Sequence, residues 1–425
     1  MLRKILSTIS TRYLIALLNL ALIFINAKVL GIEGVGWVGI IVASINIAVI
    51  FNSILCGNTI VYFMNRYSMR AIFAPSYLWT FIGSALACLF MYLTGLLPHV
   101  YAWDIYQLSI LNSLVTANAR FLLGKDHIKG FNLTHIFQGG LLFFVLVYLY
   151  YVAEQQEVQS YVSALYITNG IAFAVSLFLL IPYLKEEGRN RPARPDKPLM
   201  ALLKEMFGYG LWSGADNLAE VCTTRLNYFL IQRLAGMGSV GLLDAGTKIS
   251  ESVWHISRSV SYIEYSSIAR TPQQEEQRQI TLKLFKLTLC AMSLVMLCIA
   301  CIPEWVYTDY LFNAEFKGMR RVILGLSVGI ITLGCNSIIG HYFIGSGKIR
   351  YSAFSSMVGL VTLALSGSVL IPYAGVVGSA ISTSIAFTAM LIFSLTLFMR
   401  QTHTRLSELF PNKRDFKMIW RKIHP

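Results

Sequence analysis

The sequence predicts an all-α, polytopic membrane protein, with about 12 transmembrane helices in two six-helix bundles and a central cavity between the halves. Three observations predict it. Of 425 residues, 56% are hydrophobic and only 13% charged, with a mean hydropathy of +0.60, whereas soluble chains are about one quarter charged. Apolar runs of roughly 17–25 residues, the length that crosses a bilayer, recur along the whole chain. The segments between those runs alternate in basic content, as the positive-inside bias requires.

Taken in order, Met1 to Arg12 is a short basic leader and Tyr13 to Leu30 an apolar run. This pair resembles a signal peptide, but no small-x-small cleavage pattern follows, so it reads as the first span. Runs at 37–63, 73–95, 105–123, 131–152 and 160–183 complete a first bundle, 1–183. Lys185 to Pro198, KEEGRNRPARPDKP, then breaks the pattern. Its three prolines, Pro192, Pro195 and Pro198, block regular structure, so 184–202 reads as a cytoplasmic linker. Six further runs at 203–232, 239–268, 280–302, 320–343, 351–372 and 376–399 form a second bundle, 203–399. In the tail, 400–425, Phe416, Ile419, Trp420 and Ile423 lie opposite Lys413, Arg414, Lys417, Arg421 and Lys422. That pattern suits an amphipathic helix on the anionic lipids of the inner leaflet.

With the N-terminus in the cytoplasm, the basic groups around Arg12, Arg70, Lys125, Arg278 and Lys348, the linker and the tail all fall inside. Glu33, Asp104, Glu154, Glu157, Glu304 and Asp309 fall outside, and Lys317, Arg320 and Arg321 are the visible exceptions to the rule. Both termini are therefore expected on the cytoplasmic side. The seven cysteines sit in or near apolar runs, as small core residues and not a disulfide framework.

The run at 239–268 is unlike the others. Asp244, Lys248, Glu251, His255, Arg258, Tyr262 and Tyr265 recur at helical spacing on one face, while Leu243, Ile249, Val253, Ile256 and Val260 occupy the rest. If this segment lay on the surface, every later loop would change sides and the basic tail would face outward, so the segment is expected to cross. Lipid exposure of its four midspan charges would cost roughly 2.5–3.5 kcal/mol each. They must face protein or water. The preceding span adds Asp216, Glu220, Thr223 and Asn227 on one face with Arg225 roughly opposite, and the first span adds Arg12, Asn19 and Asn26 at heptad spacing.

Two short echoes relate the halves. Leu30-Gly31-Ile-Glu-Gly-Val35-Gly36 matches Ala235-Gly236-Met-Gly-Ser-Val240-Gly241, and Leu123-Gly124-x-x-x-Ile128-Lys129 matches Ile344-Gly345-x-x-x-Ile349-Arg350. The glycines read as tight interhelical turns. Six spans per half make the repeats parallel, and transport sites commonly lie at such repeat interfaces.

On these glycine turns, the 6+6 arrangement and the polar seventh and eighth helices, the chain resembles the multidrug/oligosaccharidyl-lipid/polysaccharide (MOP) exporter superfamily, and within it the bacterial polysaccharide flippases of the O-antigen type. The resemblance implies a MATE/MOP-like pair of bundles in the bacterial inner membrane. It implies translocation of an undecaprenyl-pyrophosphate-linked oligosaccharide by alternating access for surface polysaccharide biosynthesis, in company with membrane lipids and polysaccharide polymerase machinery. The residues give this chemical content of their own. Arg12, Arg225, Lys248 and Arg258 are candidate pyrophosphate ligands, Arg through its planar fork of donors and Lys as a point charge. Asp216, Glu220, Asp244, Glu251 and His255 are candidate coupling groups for H+ or Na+, and Asn19, Asn26 and Asn227 candidate polar cavity residues. Tyr209, Trp212, Tyr262 and Tyr265 are candidates for stacking on sugar rings. No cofactor or metal site is expected, and no nucleic-acid partner. An ion-coupled exporter of drugs or small molecules is the nearest alternative, favouring acidic groups around an organic cation. A membrane glycosyltransferase or polymerase fits less well, because the outer loops are too short to carry its machinery. No G-x-x-x-x-G-K-[ST] loop is present, so direct ATP drive has no support.

Overall fold

The computed structural model describes residues 2–64, 67–125, 127–189, 198–268, 273–346 and 348–409. Among them every regular element is helical. In chain order the α-helices are α1 (Leu2–Cys56), α2 (Asn58–Met64), α3 (Met69–Leu93), α4 (Ala102–Gly124), α5 (Ile128–His135), α6 (Leu141–Tyr151), α7 (Val158–Arg189), α8 (Leu199–Ile268), α9 (Gln274–Ala300), α10 (Met319–Gly345) and α11 (Ile349–Thr402). A π-helical turn, Ile136–Gly140, joins α5 to α6 as one continuous crossing.

Three helices are too long for one crossing. At a 1.5 Å rise per residue α8 would measure about 105 Å, against a hydrocarbon core of about 30 Å. Each breaks at one glycine with positive φ: Gly31 in α1 (φ 68°), Gly236 in α8 (φ 79°) and Gly375 in α11 (φ 53°). Without a Cβ these residues reverse the chain at little steric cost. Counting limbs, α1, α3, α4, α5 with α6, and α7 supply six crossings, and α8, α9, α10 and α11 supply six more. Seven segments are long and apolar enough to be recognised as spans by composition alone. α4 and α8 are not among them.

The echoes seen in sequence are structural repeats. Gly31 and Gly236 share one backbone conformation, φ 68° and ψ −177° in the first and φ 79° and ψ 177° in the second. Gly124 ends α4 and Ile128 starts α5, just as Gly345 ends α10 and Ile349 starts α11. The capping bonds also correspond. Lys125 and His127 donate their N–H to the Phe121 and Leu122 carbonyls at 3.1 and 2.9 Å, and Ser346 and Lys348 donate theirs to Tyr342 and Phe343 at 2.9 and 2.7 Å. The segment from Leu30 to Gly36 differs from the interhelical turn expected of it. Only Gly31 is non-helical, and the helix resumes at Ile32.

The later glycine of that motif has a different task. A Cβ on Gly36 would collide with the Met237 carbonyl, and one on Gly241 with the Ile32 carbonyl. Because Met237 stands in its repeat where Ile32 stands in the other, the two second limbs cross reciprocally, backbone against backbone. Small residues permit such approach where lipid supplies no hydrophobic drive for association.

The chain forms two compact units, Met1–Asp244 and Ala245–Pro425. In the first, buried amides and hydroxyls bridge helices. Asn52 Nδ2 of α1 donates to Ser84 Oγ of α3 at 2.8 Å and to Ser113 Oγ of α4 at 2.7 Å. Asn118 of α4 accepts from the Tyr77 hydroxyl of α3 and donates to Ser176 Oγ of α7 at 2.9 Å. The first limb of α8 belongs to this unit: Tyr209 stacks on Tyr62 at 4.3 Å, and Arg233 donates to the Thr94 and Gly95 carbonyls at 3.1 and 2.5 Å. In the second unit α9, α10 and α11 pack around Phe285, Ile338, Tyr342 and Phe398. Ser384 of α11 pins α10 by accepting from Gly329 N–H at 3.0 Å and donating to the Gly325 carbonyl at 2.5 Å.

Candidate functional site

α8 carries most of the candidate residues. Its helical form follows from long runs without proline, and Gly236 separates the limb bearing Asp216 to Asn227 from the limb bearing Asp244 to Arg258.

Asp244 is 1% exposed and sits at the end of the first unit. It packs on Gly39 of α1, where a Cβ would stand 3.0 Å from its carboxyl carbon. Tyr161 of α7 is within electrostatic reach. Glycine at position 39 is therefore what makes room for the carboxyl. Lys248 and Glu251, one and two turns further on, are half-buried in the second unit.

Arg225 contacts its own helix. Its Nη1 donates to the Tyr228 hydroxyl at 2.6 Å, and its guanidinium lies 5.3 Å from that ring's centroid, a cation–π distance. Thr223 and Asn227 are buried on the opposite face, Thr223 returning its hydroxyl to the Ala219 carbonyl at 2.7 Å. On α1 the heptad stripe divides by depth. Asn19 is exposed, whereas Asn26 is buried and accepts from the Tyr150 hydroxyl of α6 at 3.1 Å. The side chains of Arg12, Trp212, Asp216, Glu220, His255, Arg258, Tyr262 and Tyr265 lie outside the described residues, as does the tail from 410 onward.

Two polar features escaped the sequence pattern. The first is neutral. Gln138 Nε2 donates to Asn112 Oδ1 and Asn169 Oδ1 at 3.3 and 3.1 Å, beside a cavity of about 60 Å³ that Asn46 also lines. Single amides in apolar helices were the available signal. The second is Glu264, wholly buried on the side of α8 away from the charged stripe. Its signal was the coincidence of Ser250, Ser257 and Ser261 on the same face.

No protein-family profile and no curated protein matches the sequence. Solved structures do match its fold. An inward-facing multidrug-resistance MATE transporter of the MOP superfamily is 13% identical over 92% of this chain and 94% of its own, with a TM-score of 0.71. The lipid II flippase MurJ, in an inward closed conformation, is 12% identical over 98% and 89%, with a TM-score of 0.67. A eukaryotic MATE transporter is 11% identical over 94% and 95%, with a TM-score of 0.61. The chain has the fold of the MOP-superfamily transporters. It is a multi-pass membrane protein.

Proposed function

We propose that the chain is a flippase that moves an undecaprenyl-pyrophosphate-linked oligosaccharide across the bacterial inner membrane by alternating access, both termini being cytoplasmic and the halves 1–183 and 203–399 acting as parallel repeats. The observation that carries the proposal is the charged second limb of α8 inside a transporter fold. Its basic members, Lys248 and Arg258, are ten residues apart in sequence, about 15 Å along the helix. A pyrophosphate needs such cationic donors, a glycan needs a wet path, and a polyprenyl tail can stay in lipid. Arg12 near the cytoplasmic end of α1 and Arg225 are further candidate contacts. Asp216, Glu220, Asp244, Glu251 and His255 are candidates for H+ or Na+ coupling. The likeness to a lipid II flippase supports a lipid-linked substrate, and the likeness to MATE transporters supports an ion-coupled exporter of drugs as the second reading.

Binding separates the two. Purified protein should bind undecaprenyl pyrophosphate and ignore a cationic dye such as rhodamine 6G; the reverse result rejects the flippase reading. In cells, neutralising both Lys248 and Arg258 with expression verified should leave undecaprenyl-linked glycan on the inner leaflet. Unchanged surface polysaccharide in that double variant removes their assigned role.

A further inference from the structure

Glu264 lies one turn before the end of α8, 0% exposed, and among the described residues neither carboxyl oxygen has a hydrogen-bond partner. Its face of α8 packs on α9 and α10. Ser257 donates to the Gly334 carbonyl of α10 at 2.6 Å, Trp254 Nε1 donates to Ser337 Oγ at 3.0 Å, and Ile268 joins the core of Leu282, Phe285 and Ile338. The Thr281 hydroxyl of α9 is within hydrogen-bonding range of the carboxyl, but its proton is directed to the Gln277 carbonyl at 3.0 Å. No described cation answers the carboxyl. On α9, Arg278 is paired with Glu275 and Glu408, Lys283 is exposed, and Lys286 is half-buried without bonding Glu264. On α10, the titratable groups of the adjoining core are Cys335 and Tyr342, and His341 Nδ1 is bonded to the Ser337 carbonyl of its own helix at 2.7 Å.

Burial with no described cation beside it penalises the charged form of a carboxyl far more than the protonated form. A permanently neutral packing position would need no acid at all. The surroundings also suit proton movement. Ser250, Ser257 and Ser261 form a buried file along the face that ends at Glu264, and Ser250 Oγ, Thr288 Oγ1 of α9 and Asn336 Oδ1 of α10 are buried without partners. Polar atoms left in this way are sites for bridging water.

We propose that Glu264 is a proton-carrying site of the second unit, neutral while α8 is packed on α9 and ionised when the two part. On opening, the O–H bond breaks and the proton passes to water. On repacking, the carboxylate takes one proton back from water, so one full cycle releases and rebinds one H+. That this cycle drives substrate movement rests on the function proposed above; the proton site itself does not.

Infrared difference spectroscopy of the protein in lipid should show, at neutral pH, the carbonyl stretch of a protonated carboxyl, and E264Q should abolish it. Hydrogen exchange gives the conformational readout. Protection of the first turns of α9 should fall as pH rises in the wild type and stay flat in E264Q, whose amide keeps the neutral shape. Modification of wild-type Glu264 by dicyclohexylcarbodiimide, which reacts with protonated carboxyls in apolar surroundings, should decline over the same pH range and needs no variant to fold. Absence of the band, absence of the adduct, or equal pH dependence in E264Q overturns the site. A protein that shows the band yet does not bind undecaprenyl pyrophosphate keeps the proton site and loses the flippase.

Discussion

Gly36 and Gly241 carry one of the tightest constraints in the chain, since a methyl group on either would strike the backbone of the opposite limb at Met237 or Ile32. Valine at either position should destabilise the protein by about 3 kcal/mol, the upper part of the usual overpacking range. The contrast is Gly208, a helical glycine with nothing within 4 Å of its missing Cβ. Gly208→Ala should raise stability by up to about 1 kcal/mol through helix propensity. Thermal unfolding in detergent measures both, and equal shifts would dismiss the crossing as a constraint. The sequence motif revealed these glycines but attached them to a turn, because spacing cannot distinguish a glycine needed for its φ from one needed for its lack of a side chain. A second local device lies beyond α11. Arg278 is 2.6 Å from Glu408, and with the Arg405 N–H it holds that carboxyl below its usual range. A depressed carboxylate stabilises fully above the unfolded value of about 4.3 and loses its contribution as pH falls through the lower folded value. Protection factors for 404–409 should therefore drop on acidification below about pH 4. Glu408→Gln should reproduce that drop at neutral pH, while global stability changes by less than about 1 kcal/mol for so exposed a pair.

Among the helices, α1 and α8 are defined by their single break. At φ near +70° and ψ near 180° only glycine is comfortable, and a side chain there is strained by about 1–3 kcal/mol. Gly31→Ala and Gly236→Ala should each cost that amount and by similar margins, because the two conformations match. A loss confined to one of them would undo the structural equivalence of the repeats. The buried amides of the first unit follow another logic. Removing Asn52 leaves Ser84 and Ser113 without a donor, and bonds of this kind average about 0.6 kcal/mol in membrane helices. Asn52→Ala should accordingly cost about 1–2 kcal/mol, and a neutral result would mean that both hydroxyls find other partners. The existence and order of the helices were legible from hydropathy and charge. Which face of each helix meets a neighbour was not, as Asn19 and Asn26 illustrate: they share a stripe, yet one is exposed and the other bonds Tyr150.

For the molecule as a whole, the test of topology is labelling. In a background lacking the seven native cysteines, single cysteines at Glu33 and Glu304 should react with an impermeant maleimide in intact cells. Those at Lys125 and Arg405 should react only after permeabilisation. The inverse pattern would reverse the proposed orientation and with it the direction of transport. The number of crossings, the charged helix that composition alone would exclude from the membrane, and the internal repeat all follow from local pattern: twenty apolar residues need a bilayer, glycine and charge mark where the chain turns, and such signals are carried by neighbours in sequence. The reciprocal glycine crossing, the seating of Asp244 on Gly39 and the burial of Glu264 depend on atoms far apart along the chain, such as Gly36 with Met237. Only three-dimensional packing decides which of a helix's faces loses its solvent.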